Sequence, residues 1–72
     1  MIEFWSIENT GWSGAISWFR DEKRFDSKYE ALEDAIRRKK ELNQDTTLWR
    51  IVHTTIERSD NKEIITRTWR II

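Results

Sequence analysis

His53 is the one imidazole of this 72-residue chain, and no cysteine accompanies it. A metal centre built on nitrogen or sulfur ligands needs several such side chains, so the chain has no ligand set for one. His53 stands among threonines in a strand-like run and reads as a surface histidine. Ser6, Ser13, Ser17, Ser27 and Ser59 have no nucleophile motif around them. The glycine-bearing loop Gly11-Trp12-Ser13-Gly14 has neither phosphate-loop nor dinucleotide-binding spacing. The neighbouring acids Glu30, Glu33 and Asp34 have a helical explanation, given below. A two-carboxylate mechanism also needs a concave site, which so short a chain rarely forms. These residues predict a protein that is not an enzyme and has no cofactor and no metal.

Binding chemistry has better candidates. Trp12 sits between glycines on a loop, where an aromatic has no built-in burial and suits an interface anchor. The alternative is that it folds back over the sheet edge. Trp49-Arg50-Ile51 and Trp69-Arg70-Ile71 repeat a W-R-I triplet. Aromatics interleaved with arginine on a sheet stack bases and hold phosphates, but the same residues also serve core or interface packing. Arg37-Arg38-Lys39-Lys40 is the most basic run. Four successive helical residues point in every direction, so only part of it can face one phosphate backbone, and a solvated helix end is the simpler reading.

The elements that position these residues follow from pattern. Phe25–Asn43 reads as the one strong helix. Ser27 and Glu30 have capping-box spacing. Acids fill the first half and bases the second, which suits the helix dipole, and Glu33–Arg37 and Asp34–Arg38 are i,i+4 pairs in the favourable order. Tyr29, Leu32, Ala35 and Ile36 form the apolar stripe. Leu42 lies near its edge, Lys39 falls within it, and Asn43 suits a helix stop.

Ile2–Ile7 reads as a strand with apolar groups on both faces, and Ala15–Phe19 as a second. Asp21-Glu22-Lys23 is a charged turn, and Phe25 seals the first helical turn against the sheet. Thr47–Arg58 and Lys62–Ile72 form a hairpin about Asp60-Asn61. That register opposes Val52 to Trp69, Ile56 to Ile65 and Arg58 to Glu63. One hairpin face carries Leu48, Val52, Ile56, Ile65, Trp69 and Ile71, and is expected under the helix. The other, with Trp49, Ile51, His53, Thr55, Ile64, Thr66, Thr68, Arg70 and Ile72, is expected to be open. It is too apolar for a solvated surface and too rich in threonine and arginine for an ordinary core. The expectation is an α+β fold, residues 1–72 as a single domain. An antiparallel sheet in β-β-α-β-β order would carry one helix packed on one face, a two-layer sandwich.

Net charge is zero, with no cysteine and five tryptophans. A chain this short is marginal in stability unless its core is aromatic-rich or it oligomerises. Residues 1–36 hold four bases and eight acids, and residues 37–72 hold nine bases and five acids. This makes a dipolar surface rather than a broadly basic nucleic-acid binder. The start, Met-Ile-Glu-Phe-Trp-Ser, has no basic region and no apolar run of a secretory signal. No stretch approaches the ~20 apolar residues of a membrane span. A cytoplasmic protein without a membrane role is expected.

From Phe25 to about Thr55, the pattern Phe25, Asp26, Ser27, Glu30, Ala31, then Trp49, Arg50, Ile51, Val52, resembles a loose group of small phage and prophage accessory proteins. The segment WSIENTGWSG falls outside that likeness. The resemblance implies a small non-enzymatic protein, some relatives of which bind and redirect host proteins. The expected function is docking on, and occlusion of, a host or phage protein, with a homodimer as one form. The surface would be Trp12, Trp49, Ile51, His53 and Arg70. The second expectation is a nucleic-acid-binding module using Arg37, Arg38, Lys40, Arg50, Arg67 and Arg70.

Overall fold

A computed structural model describes residues 1–11, 17–42 and 47–72. They form an α+β arrangement of one helix and a four-stranded antiparallel sheet. The elements follow as β1 (Ile2–Asn9), β2 (Phe19–Arg20), α1 (Lys28–Leu42), β3 (Trp49–Ser59) and β4 (Lys62–Ile71). The sheet order is β2-β1-β3-β4.

The hairpin forms in the expected register. Val52 opposes Trp69, Ile56 opposes Ile65 and Arg58 opposes Glu63. Asp60 and Asn61 have φ of 47° and 67°, the left-handed pair that a two-residue turn needs to match strand twist. β1 runs two residues beyond the expected Ile7 because its far end keeps pairing, Glu8 with Arg50 and Asn9 with Trp49. Asn9 then ends the strand by accepting the Gly11 N–H through Oδ1 at 2.9 Å, with Gly11 at φ 72°. β2 overlaps the expected Ala15–Phe19 only at Phe19. Ala15 and Ile16 lie outside the described residues, as do Trp12 and Asn43.

Ser27 caps α1: its Oγ accepts the Glu30 N–H at 3.2 Å. Ser27→Ala is expected to lower stability by about 1 kcal/mol, read as a shift in urea midpoint. Of the two expected helical ion pairs, Asp34–Arg38 forms, at 4.0 Å, and Glu33–Arg37 gives way to a different partner. Asp34 takes both Arg37 and Arg38, and Arg38 also reaches Asp21, so Glu33–Arg37 does not form. Asp34 is the less exposed of the two carboxylates.

The buried stripe is also rotated. Ala31 and Ala35 are fully buried and Leu32 partly so, while Tyr29 is 81% and Ile36 43% exposed. Two alanines bring the helix backbone close to a large neighbour, and that neighbour is Trp49. Lys39 lies along the edge of this contact, and its ammonium donates to the Ile72 carbonyl at 3.3 Å.

The helix therefore sits on the opposite hairpin face from the expected one. The core joins Ile7, Trp49 and Ile51 of the sheet to Phe25, Ala31 and Ala35, with Trp5, Leu32 and Ile72 packed against it. Phe25 does close the first turn. Its N–H and C=O exchange hydrogen bonds with Trp5 at 2.8 and 2.9 Å, tying the helix entry to β1. Trp49, Ile51 and Ile72 of this face pack in or against the core at the helix end, with Arg70 opposite Ile51. His53, Thr55, Thr66 and Thr68 lie towards the hairpin turn, where Ile64 is exposed.

Candidate interaction surface

The sheet face away from α1 is built from four rows across β1, β3 and β4. They are Ile2-Ile56-Ile65, Phe4-Thr54-Arg67, Ser6-Val52-Trp69 and Glu8-Arg50-Ile71. The β1 and β3 members are mostly buried, whereas Ile65, Trp69 and Ile71 of β4 are exposed and Arg67 is half-buried. Ile2, Ile65, Trp69 and Ile71 are each more than half exposed on this one face, and Leu48, half-exposed, continues the β3 alternation beside them.

A charged node sits at one end of this face. The buried carboxylate of Glu8 accepts from Arg50 at 2.6 and 2.9 Å, from Arg67, and from Arg20 at 3.4 Å. Cross-strand pairing of Arg20, Glu8 and Arg50 brings these groups together. The Arg50 guanidinium also lies 4.1 Å from the Trp18 ring and 4.8 Å from that of Trp69. An arginine held between two aromatics and a carboxylate is rigid. Burial pushes the Glu8 carboxyl up, but the hydrogen bonds and charges of Arg50 and Arg67 outweigh it and hold it below its ordinary value. Further along the face, Arg24 lies 4.1 Å from the Phe4 ring.

The residues expected to form a binding surface are placed differently. Trp49 and Ile51 are buried under α1, at 1% and 6% exposure, so neither is the open anchor the pattern predicts. The reason is the exchanged face: the alanines of α1 pack on Trp49, and Trp69 is left open. His53 stacks on Trp5 with ring centroids 4.5 Å apart, and its Nε2 lies 2.9 Å from Glu3 Oε2. Ile51, His53 and Arg70 do meet, with Trp5, Lys28 and Leu32, around a helix-side cleft of about 630 Å³. The six expected phosphate-binding residues are split. Arg50 and Arg67 are bound to Glu8 on the open face, Arg37 and Arg38 are paired with acids on α1, and Lys40 and Arg70 lie on the helix side.

The pattern misses Glu8, Arg20, Trp18 and the exposure of Trp69, Ile71 and Ile2. The signal that was present is the acid in β1 opposite Arg50 in β3, which shows only once the β1–β3 register is known. In comparisons with known proteins, no family model, no curated protein and no solved structure gives a significant match to this chain. Among the described residues, no helix is long and apolar enough to cross a membrane.

Proposed function

We propose that this protein is a small non-catalytic binding protein of the phage-accessory type. It docks its open sheet face on a host or phage protein and occludes that protein's surface. The observation that carries the reading is the set of exposed apolar residues Ile2, Leu48, Ile65, Trp69 and Ile71 on one side of one sheet. A row of this kind beside fixed arginines has the make-up of a protein interface, where a tryptophan anchor and arginine dominate. Three guanidiniums surround the single Glu8 carboxylate, so this end of the face has an excess of positive charge. The partner surface that fits is apolar with an acidic rim.

The nucleic-acid reading has weaker support, because the arginines it needs are divided between two sides and most are already paired.

The test is a pull-down from bacterial lysate, with and without nuclease, using the natural chain, Trp69→Ser and Ile2→Lys as baits. Both substituted positions are more than half exposed, so the fold survives the changes. A stoichiometric protein is expected to be retained after nuclease and released by salt. Its retention should fall about tenfold or more with each variant. Equal retention by all three baits would remove the open face as the docking site. Loss of the retained material on nuclease treatment would favour nucleic acid.

A further inference from the structure

The two edges of the sheet differ. The β2 edge is two residues long and broken by the irregular run to Phe25, so it offers little to a second strand. The β4 edge is ten residues long, and its register with β3 is continuous from Ser59–Lys62 to Arg50–Ile71, without a bulge. The chain has no proline to block it. Long, flat, apolar edges are templates for another strand unless something guards them.

The hydrogen-bonding phase of this edge is fixed. The Ile72 N–H donates to Trp49 O at 3.0 Å, so Ile72 belongs to a hydrogen-bonded pair with β3, and the pairs alternate back along the strand. Residues 64, 66, 68 and 70 therefore turn their backbone groups inward. Ile65, Arg67, Trp69 and Ile71 turn theirs outward, and among the described residues nothing pairs with them. β4 is also exposed along almost its whole length, with Ile64 on one face and Ile65, Trp69 and Ile71 on the other.

We propose that a second copy of this chain covers this edge, pairing β4 antiparallel with its own twin about a two-fold axis at Thr68. An isologous edge contact must be antiparallel, and side-chain chemistry selects the register. Centring on Arg67 sets that arginine against itself, and centring on Thr66 sets Lys62 against Arg70 of the twin. Centring on Ile65 places Glu63 beside Arg67 but leaves Trp69 and Ile71 facing the turn, while centring on Trp69 leaves Ile64 and Ile65 unmatched.

Centring on Thr68 opposes Ile64 to Ile72, Ile65 to Ile71, Thr66 to Arg70 and Arg67 to Trp69, each twice. No like charges stand directly opposite, every exposed isoleucine of the strand finds an apolar partner, and each Arg67 lies beside an indole. The four outward-facing residues of each copy then form about eight backbone hydrogen bonds across the seam. The result is one eight-stranded sheet whose two open faces run together. The inference rests on the edge and does not need the docking reading.

Sedimentation of the natural chain is expected to show a dimer. Ile65→Pro removes an outward N–H that β3 does not use, a change an edge strand tolerates. It is expected to give a folded monomer by circular dichroism and sedimentation. Cysteine substitution reads the register in a chain that has no other thiol. Thr68→Cys is expected to cross-link to itself on mild oxidation, because a non-hydrogen-bonded pair brings the two Cα atoms within disulfide range. Thr66→Cys and Arg70→Cys should each fail alone and cross-link when mixed. A monomer at high concentration would overturn the proposal. So would a dimer indifferent to Ile65→Pro, or one in which Thr68→Cys stays reduced while Thr66→Cys or Arg70→Cys self-links.

Discussion

Trp49→Ala is expected to leave most molecules unfolded or loosely folded, whereas Trp69→Ala is expected to leave the fold intact. The two residues open identical W-R-I triplets, so the triplet itself does not say which of them is buried. Trp49 is 1% exposed, packs with Ile7, Ile51, Ala31 and Ala35, and lies beneath the Arg38 guanidinium at 5.4 Å. Truncating a buried tryptophan costs about 3–5 kcal/mol, since the alanine backbones over it cannot collapse far enough to fill the space. A 72-residue domain has roughly 4–11 kcal/mol in total, so this one change consumes a large part of it. Trp69 is 57% exposed, and its packing on Arg50 is worth below about 1 kcal/mol. Urea titrations followed by circular dichroism will show the difference. Comparable losses from both substitutions would contradict the assignment of α1 to the Trp49 face.

The second large effect is expected at Glu8. Glu8→Ala removes the one carboxylate shared by Arg20, Arg50 and Arg67 and leaves three guanidiniums facing one another. Breaking a buried pair from one side costs about 3–5 kcal/mol. The lower end applies here, because Arg20 and Arg67 reach water. Arg20→Ala, at the half-exposed and longest of the three contacts, should cost less than about 1 kcal/mol.

The same node sets a pH dependence. A carboxyl held below its ordinary value contributes stability that is fully present above the unfolded-state value and is lost as pH falls through the folded value. For Glu8 the contribution therefore fades on acidification below about pH 4.5. Asp21 shifts the same way. Burial raises it, but the Lys23 backbone N–H and the Arg38 guanidinium overcome that. Glu8→Gln isolates the Glu8 share: the gap in urea midpoint between it and the natural chain should be wide at neutral pH and narrow in acid. A gap that stays constant across this range would show that Glu8 ionisation does not matter to folding.

The features legible along the chain are local ones. The Ser27 cap, the helix through Leu42, the Asp60-Asn61 turn and the Val52–Trp69, Ile56–Ile65 and Arg58–Glu63 pairs all depend on residues close in the chain or joined through one tight turn. Period and turn chemistry are enough for these. The two-residue alternation of the hairpin also placed Trp49 and Trp69 on opposite faces. Which face receives the helix is not legible in the pattern, because both faces carry isoleucine and tryptophan and neither is purely apolar. Two long-range facts made the choice. The Trp5–Phe25 bridge fixes where the chain enters α1, and Ala31 and Ala35 accommodate the bulk of Trp49 and Ile51. The Glu8 cluster was equally hidden, since its members lie 12, 42 and 59 residues from Glu8 along the chain and meet only when β1 enters the sheet between β2 and β3.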